Sequence, residues 1–112
     1  MPITLATKSE NNDTEQKIAS LIAEGEVDDA ARLAEKEGLL DKAIVLYGKC
    51  SDFRSLGRVY EKLNQLKKAM QAFERGKWYQ EAARVAEQLG ETGKAEKFYH
   101  LYQKQEFNTY RH

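Results

Sequence analysis

An all-α solenoid of about seven short helices, three helical hairpins preceded by one leading helix, follows from three observations. The chain has 112 residues and a single proline, too little turn chemistry for an all-β domain. Alanine or leucine recurs at Ala30, Ala43, Leu56, Ala69, Ala82 and Ala95, each thirteen residues after the last, and a fixed period is the mark of stacked repeats. Four residues after each comes Ala34, Tyr47, Tyr60, Phe73, Ala86 or Tyr99, a spacing that sets both side chains on one helical face.

Taken in order, residues 1–12 are expected to form a flexible arm. Asp13 then serves as N-cap to a leading helix from about Thr14 to Glu24, with Ile18, Leu21 and Ile22 as its apolar stripe. Gly25, Gly38, Ser51, Asn64, Gly76 and Gly90 suit helix ends and mark the turns between units. The stretches Ala30–Tyr47 and Ala82–Tyr99 share nine of eighteen residues, so the true repeat is a helical hairpin of 26 residues. Helices this short are marginal alone in water, and stacking on neighbours must supply their stability. The repeat domain spans residues 13–105, and a C-terminal tail of residues 106–112 closes the chain.

Acidic and basic residues number 18 each, a net charge of zero that disfavours a uniformly basic nucleic-acid binder. Residues 1–38 hold four Lys/Arg and nine Asp/Glu, against fourteen and nine in residues 39–112, so the basic half alone could attract an anionic partner. Cys50 is the single cysteine, which excludes an internal disulfide or a cysteine-based zinc site and points to a reducing, cytoplasmic setting. No run approaches the roughly 18 apolar residues of a membrane span, and no charged segment precedes an apolar one at the N-terminus. Catalysis finds no support. His100 and His112 lack a metal-spaced companion, Cys50 has no histidine near it in the pattern, and no glycine-rich phosphate loop exists. The run Glu24, Glu26, Asp28, Asp29 reads as a helix start preferring negative charge. Neither an enzyme nor a cofactor is expected.

The middle hairpin reads Phe53-x-x-Leu56-Gly57-x-x-Tyr60, then Ala69-x-x-x-Phe73, and closes at Gly76. This resembles the tetratricopeptide repeat, whose pattern runs Trp-x-x-Leu-Gly-x-x-Tyr and then Ala-x-x-x-Phe. The first hairpin matches through Val27, Ala30, Ala31, Ala34, Gly38, Ala43, Tyr47 and Cys50, and the third through Tyr79, Ala82, Ala83, Ala86, Gly90, Ala95, Tyr99 and Tyr102. Small residues at Ala30/Ala31, Gly57 and Ala82/Ala83 let paired helices approach, and Tyr47, Phe73 or Tyr99 fills the space between them. Family repeats have about 34 residues. These have 26 and lack the proline near the family's repeat end, so the chain is a tetratricopeptide-like α-solenoid with shortened helices.

The resemblance implies a protein–protein interaction module, an adaptor or scaffold, in which the first helix of each hairpin lines the binding surface. On those helices Arg32, Arg58 and Arg84 recur every 26 residues, as do Glu35, Glu61 and Glu87. Two readings stand side by side: a ladder of guanidinium groups that holds an acidic peptide, or a structural ion ladder with each Arg paired to a Glu of its own or the neighbouring repeat. Lys42, Lys68 and Lys94 form a second ladder, read as stems covering aromatic rings. Basic residues cluster in the middle repeat at Arg54, Lys62, Lys67, Arg75 and Lys77. The last helix carries Phe98, Tyr99, Leu101, Tyr102, Phe107 and Tyr110, more than one neighbour can bury, so it is read as a docking surface, as a homodimer contact or as a folded-back cap. Nucleic-acid binding by the basic helical face, or a self-associating structural spacer, are the alternative functions. Nucleic acid is weakened by an expected lack of aromatics interleaved on the charged face.

Overall fold

The computed structural model describes the backbone of residues 2–111 and the side chains of residues 13–108. It is an all-α helical repeat, with seven helices among the described residues: α1 (Pro2–Ala23), α2 (Val27–Lys36), α3 (Leu40–Lys49), α4 (Phe53–Lys62), α5 (Leu66–Arg75), α6 (Tyr79–Gln88) and α7 (Thr92–Arg111). The five inner helices have ten residues each, as the thirteen-residue period predicts.

The turns share one backbone angle. Gly25, Gly38, Ser51, Asn64, Lys77 and Gly90 all take positive φ, between 57° and 84°. At Asn64, the next residue Gln65 donates its N–H to Tyr60 O at 2.9 Å, and at Lys77 the N–H of Trp78 reaches Phe73 O at 2.8 Å. These are the six-to-one bonds of a Schellman closure, which satisfy carbonyls the helix end leaves open. One expectation is corrected: the turn assigned to Gly76 places its left-handed residue at Lys77. The strict register wins over residue type, and Gly76 serves a different need, because a Cβ there would lie 2.7 Å from Phe53 Cβ and from Trp78 Cδ1.

The outer helices also depart from expectation. α1 starts at Pro2 and has 22 residues, so Asp13 lies inside it and not at its cap. Proline fits a helix's first position, and neither glycine nor a second proline interrupts the run to Ala23. α7 has 20 residues and continues through the segment expected as a tail. The period calls for a turn near Gln103, but Tyr102 to Phe107 contains no glycine, asparagine or proline to make one.

The chain forms two compact units, Met1–Ser51 and Asp52–His112. In the first, α2 packs against α1 and α3. Its core holds Ile18, Ala30, Ala31, Ala34, Ala43, Leu46 and Tyr47, while Ile22 of the expected apolar stripe is 40% exposed. In the second, α4, α5, α6 and α7 each pack on the next in sequence, the nearest-neighbour pattern of a repeat protein. Ala69, Met70, Phe73, Ala82, Ala83, Val85, Ala86, Ala95 and Phe98 form its core, flanked by Tyr60, Tyr79, Leu89 and Leu101. The charge asymmetry follows the unit boundary. The first unit carries six Lys/Arg against ten Asp/Glu, the second twelve against eight.

Candidate functional site

In the second unit, α4 and α6 are the first helices of successive hairpins, and side chains join them directly. Arg84 forks onto Glu61, with Nη1 to Oε2 and Nη2 to Oε1 both at 2.8 Å. That bidentate contact is the main cause of a raised Arg84 pKa, with desolvation opposing it and the Glu61 and Glu81 charges assisting. Arg54 Nε lies 3.3 Å from Glu81 Oε2. Arg54, Ser55, Arg58, Glu61, Phe73, Glu81 and Arg84 line one pocket of about 490 Å³. Three guanidinium groups there face two carboxylates, and the volume suits one or two side chains of a bound peptide.

The arginine repeat is thus uneven in its chemistry. Arg32 belongs to the first unit, is exposed, and pairs along its own helix with Asp28 at 3.4 Å and with Asp29. Its pKa is raised mainly by the hydrogen bond to Asp29. Glu26, Asp28 and Asp29 lie close together, so the acidic run at the start of α2 is in part neutralised by Arg32. Arg84 thus pairs with the neighbouring repeat's Glu61, while Arg32 pairs with aspartates of its own helix.

What the sequence patterns missed is the partner of the glutamates. Tyr47 Oη donates to Glu35 Oε1 at 2.7 Å, and Tyr99 Oη donates to Glu87 Oε1 at 2.6 Å. The middle hairpin has Phe73 at the equivalent position, with no hydroxyl to offer, and Glu61 takes the Arg84 fork instead. The signal was present: Tyr47 and Tyr99 repeat at the same 52-residue spacing as Glu35 and Glu87.

Basic residues of the middle repeat rest on aromatic rings. Arg54 Cζ is 4.6 Å from the Trp78 ring centroid, Arg75 Cζ is 4.7 Å from that of Phe53, and Lys68 Nζ is 5.9 Å from that of Tyr60. The expectation of no aromatics on the charged face is therefore corrected, and the cations cover ring faces that a base would need for stacking. Lys94 instead lies 3.8 Å from Glu91. Lys62 is exposed in the last turn of α4, where positive charge suits the helix dipole.

The C-terminal aromatic stripe divides. Phe98 is 2% exposed and stacks on Tyr79 with centroids 6.2 Å apart, so it is a core residue and not part of a docking surface. One face of α7 must seat on α6, and Phe98 lies on it. Leu101 also packs against the core, while Tyr102 is half-buried and Phe107 is 60% exposed. Tyr110 and His112 fall outside the described side chains. Cys50 is a free, half-buried thiol whose Sγ lies 3.6 Å from Tyr47 O. Among the described residues no helix is long and apolar enough to cross a membrane.

The family model described as tetratricopeptide repeat matches residues 55–76, which is most of the α4–α5 hairpin. No curated protein and no solved structure matches the chain.

Proposed function

From a chain that is a tetratricopeptide-like helical repeat, we propose a non-enzymatic adaptor that takes an acidic segment of a partner protein on the α4/α6 face. Tetratricopeptide repeats generally mediate protein–protein interaction, which makes the binding module the default for this architecture. The observation that carries the finer reading is the pocket of Arg54, Arg58 and Arg84 in the unit with excess positive charge. A partner carboxylate there would compete with Glu61 for the Arg84 fork and add a second acceptor near Arg58. The single free thiol fits a reducing cytoplasm.

The test is fluorescence anisotropy with a labelled Asp/Glu-rich peptide and, separately, a labelled single-stranded oligonucleotide, each at low and high salt. Peptide binding that disappears in an Arg58→Ala/Arg84→Ala chain supports the proposal. Binding of the oligonucleotide alone, falling steeply with salt through counterion release, would replace it with the nucleic-acid reading.

A further inference from the structure

Trp78 is the only tryptophan of the chain, and it sits where the periodic pattern placed nothing. It is the N-cap residue of α6, directly after the left-handed Lys77, and 40% of it is exposed. Gly76 gives it its seat. The position a Cβ would take on Gly76 is 2.7 Å from Trp78 Cδ1 and 3.1 Å from Nε1, so the indole edge is wedged against the end of α5. A recess of about 380 Å³ opens beside it, lined among others by Arg54, Trp78, Glu81, Tyr102, Gln105 and Glu106. Gln105 Nε2 donates to Lys77 O at 3.0 Å, tying the extended part of α7 to the turn and forming the far wall.

This recess already holds a guanidinium group. Arg54 Cζ stands 4.6 Å from the indole centroid while its Nε lies 3.3 Å from Glu81 Oε2. A π-face on one side and a carboxylate on the other is the pairing that suits a planar, delocalised cation better than a compact ammonium. Arg54 is loosely kept there, because its side chain is 61% exposed and exposed ion pairs are weak. Glu106 supplies a second carboxylate on the α7 side of the same recess.

We infer that the Trp78–Glu81 recess is a binding site for an arginine side chain of a partner protein, with Arg54 as the internal occupant that the incoming arginine displaces. Arg54 has somewhere to go, since it also lines the pocket that contains Glu61. The site shares Arg54 and Glu81 with the acidic-segment pocket but does not depend on it: its ligand has the opposite charge, and its aromatic wall is Trp78 and Tyr102.

Because Trp78 is the sole tryptophan, its fluorescence reads the site directly. The probes are acetyl-Gly-Arg-Gly-amide and acetyl-Gly-Lys-Gly-amide, titrated into the full chain. Removing the internal competitor in Arg54→Ala should tighten arginine-peptide binding about tenfold, since apparent affinity is reduced by the fraction of sites already occupied. Adding Glu81→Gln to that variant should abolish the fluorescence response. An Arg54→Ala chain with unchanged circular dichroism and no saturable response, or with equal response to the lysine peptide, overturns the proposal. Should that variant fail to fold, the unaltered chain is titrated with the same peptides while the Trp78 indole N–H is followed by NMR. A saturable shift with the arginine peptide alone then supports the site, and its absence or an equal shift with lysine refutes it. Loss of acidic-peptide binding in Arg58→Ala/Arg84→Ala leaves this response intact, so the two sites fail separately.

Discussion

Gly57 and Phe73 occupy one shared space: a Cβ on Gly57 would fall 2.6 Å from Phe73 Cε1 and 2.7 Å from two further ring atoms. Phe73 is 2% exposed, so its ring has nowhere to retreat. The equivalent pairs in the other hairpins are Ala31 with Tyr47 and Ala83 with Tyr99, whose hydroxyls reach out to Glu35 and Glu87. Gly57→Ala should therefore destabilise the chain by about 1–3 kcal/mol from overpacking, even though alanine gains about 1 kcal/mol in helix propensity over glycine. Adding Phe73→Leu should recover part of the loss. Urea midpoints of the two single variants and the double variant check this, and additive losses would show that the two residues do not share a space.

Lys77 pays a conformational cost that its neighbour does not relieve. With φ at 63°, Lys77→Gly should stabilise by about 1 kcal/mol, the penalty of a left-handed L-residue. The adjacent Gly76→Ala should do the reverse, because its Cβ meets Phe53 and Trp78. Opposite shifts in melting temperature from two adjacent positions are the expected signature.

Arg84 and Glu61 should couple weakly in folding. Their pair is partly exposed, with side chains 47% and 22% accessible, so a double-mutant cycle is expected to return no more than about 1 kcal/mol. Arg84→Ala should nevertheless weaken acidic-peptide binding, whereas Arg32→Ala, whose partners are Asp28 and Asp29, should leave it unchanged. A peptide that responds equally to both variants would point to diffuse charge attraction.

Tyr99 links stability to alkaline pH. Its pKa is raised above the ordinary 10.0, first by the hydrogen bond it donates to Glu87, then by desolvation and by the Glu87 charge. A raised pKa in the folded state means stability that is complete below the unfolded value and is lost as pH climbs through the folded one. The difference in melting temperature between wild type and Tyr99→Phe should therefore hold from neutral pH up to about 10 and shrink above it. Tyr47→Phe, at a fully buried ring with the same bond to Glu35, should cost about 1 kcal/mol at neutral pH. A Tyr99→Phe difference that grows with alkalinity would contradict the bond's direction.

The thirteen-residue period was readable because it is set by small residues at the helix contacts and by the αL turns, and both are local. Gly25, Gly38, Ser51, Asn64 and Gly90 all take the left-handed turn angle that the period assigns them. Gly76 misled because glycine answers two different demands, a backbone angle or an absent side chain, and its letter does not say which. The start of α1 and the end of α7 run past the expected boundaries because no breaker residue stands at either one. At the α4/α6 face the positions of Arg58 and Arg84 and the pairing of Arg84 with the neighbouring repeat's Glu61 are legible, but the tyrosine partners of Glu35 and Glu87 are not. The tyrosine bonds to Glu35 and Glu87 depend on the ring one helix away, and Phe73 has no hydroxyl to give Glu61 the same bond. Trp78 gives no periodic signal because it stands at a cap and not on a helical face.

Junctions of one design, recurring at one interval, make the chain divisible into cassettes. Excising residues 65–90 would join Asn64 to Glu91, a left-handed turn residue to the residue that precedes a helix, as every native junction does. First and second helices would still alternate, since two helices leave together. Copy number, and with it the count of recognition positions offered to a partner, can therefore change by whole hairpins without inventing a new cap.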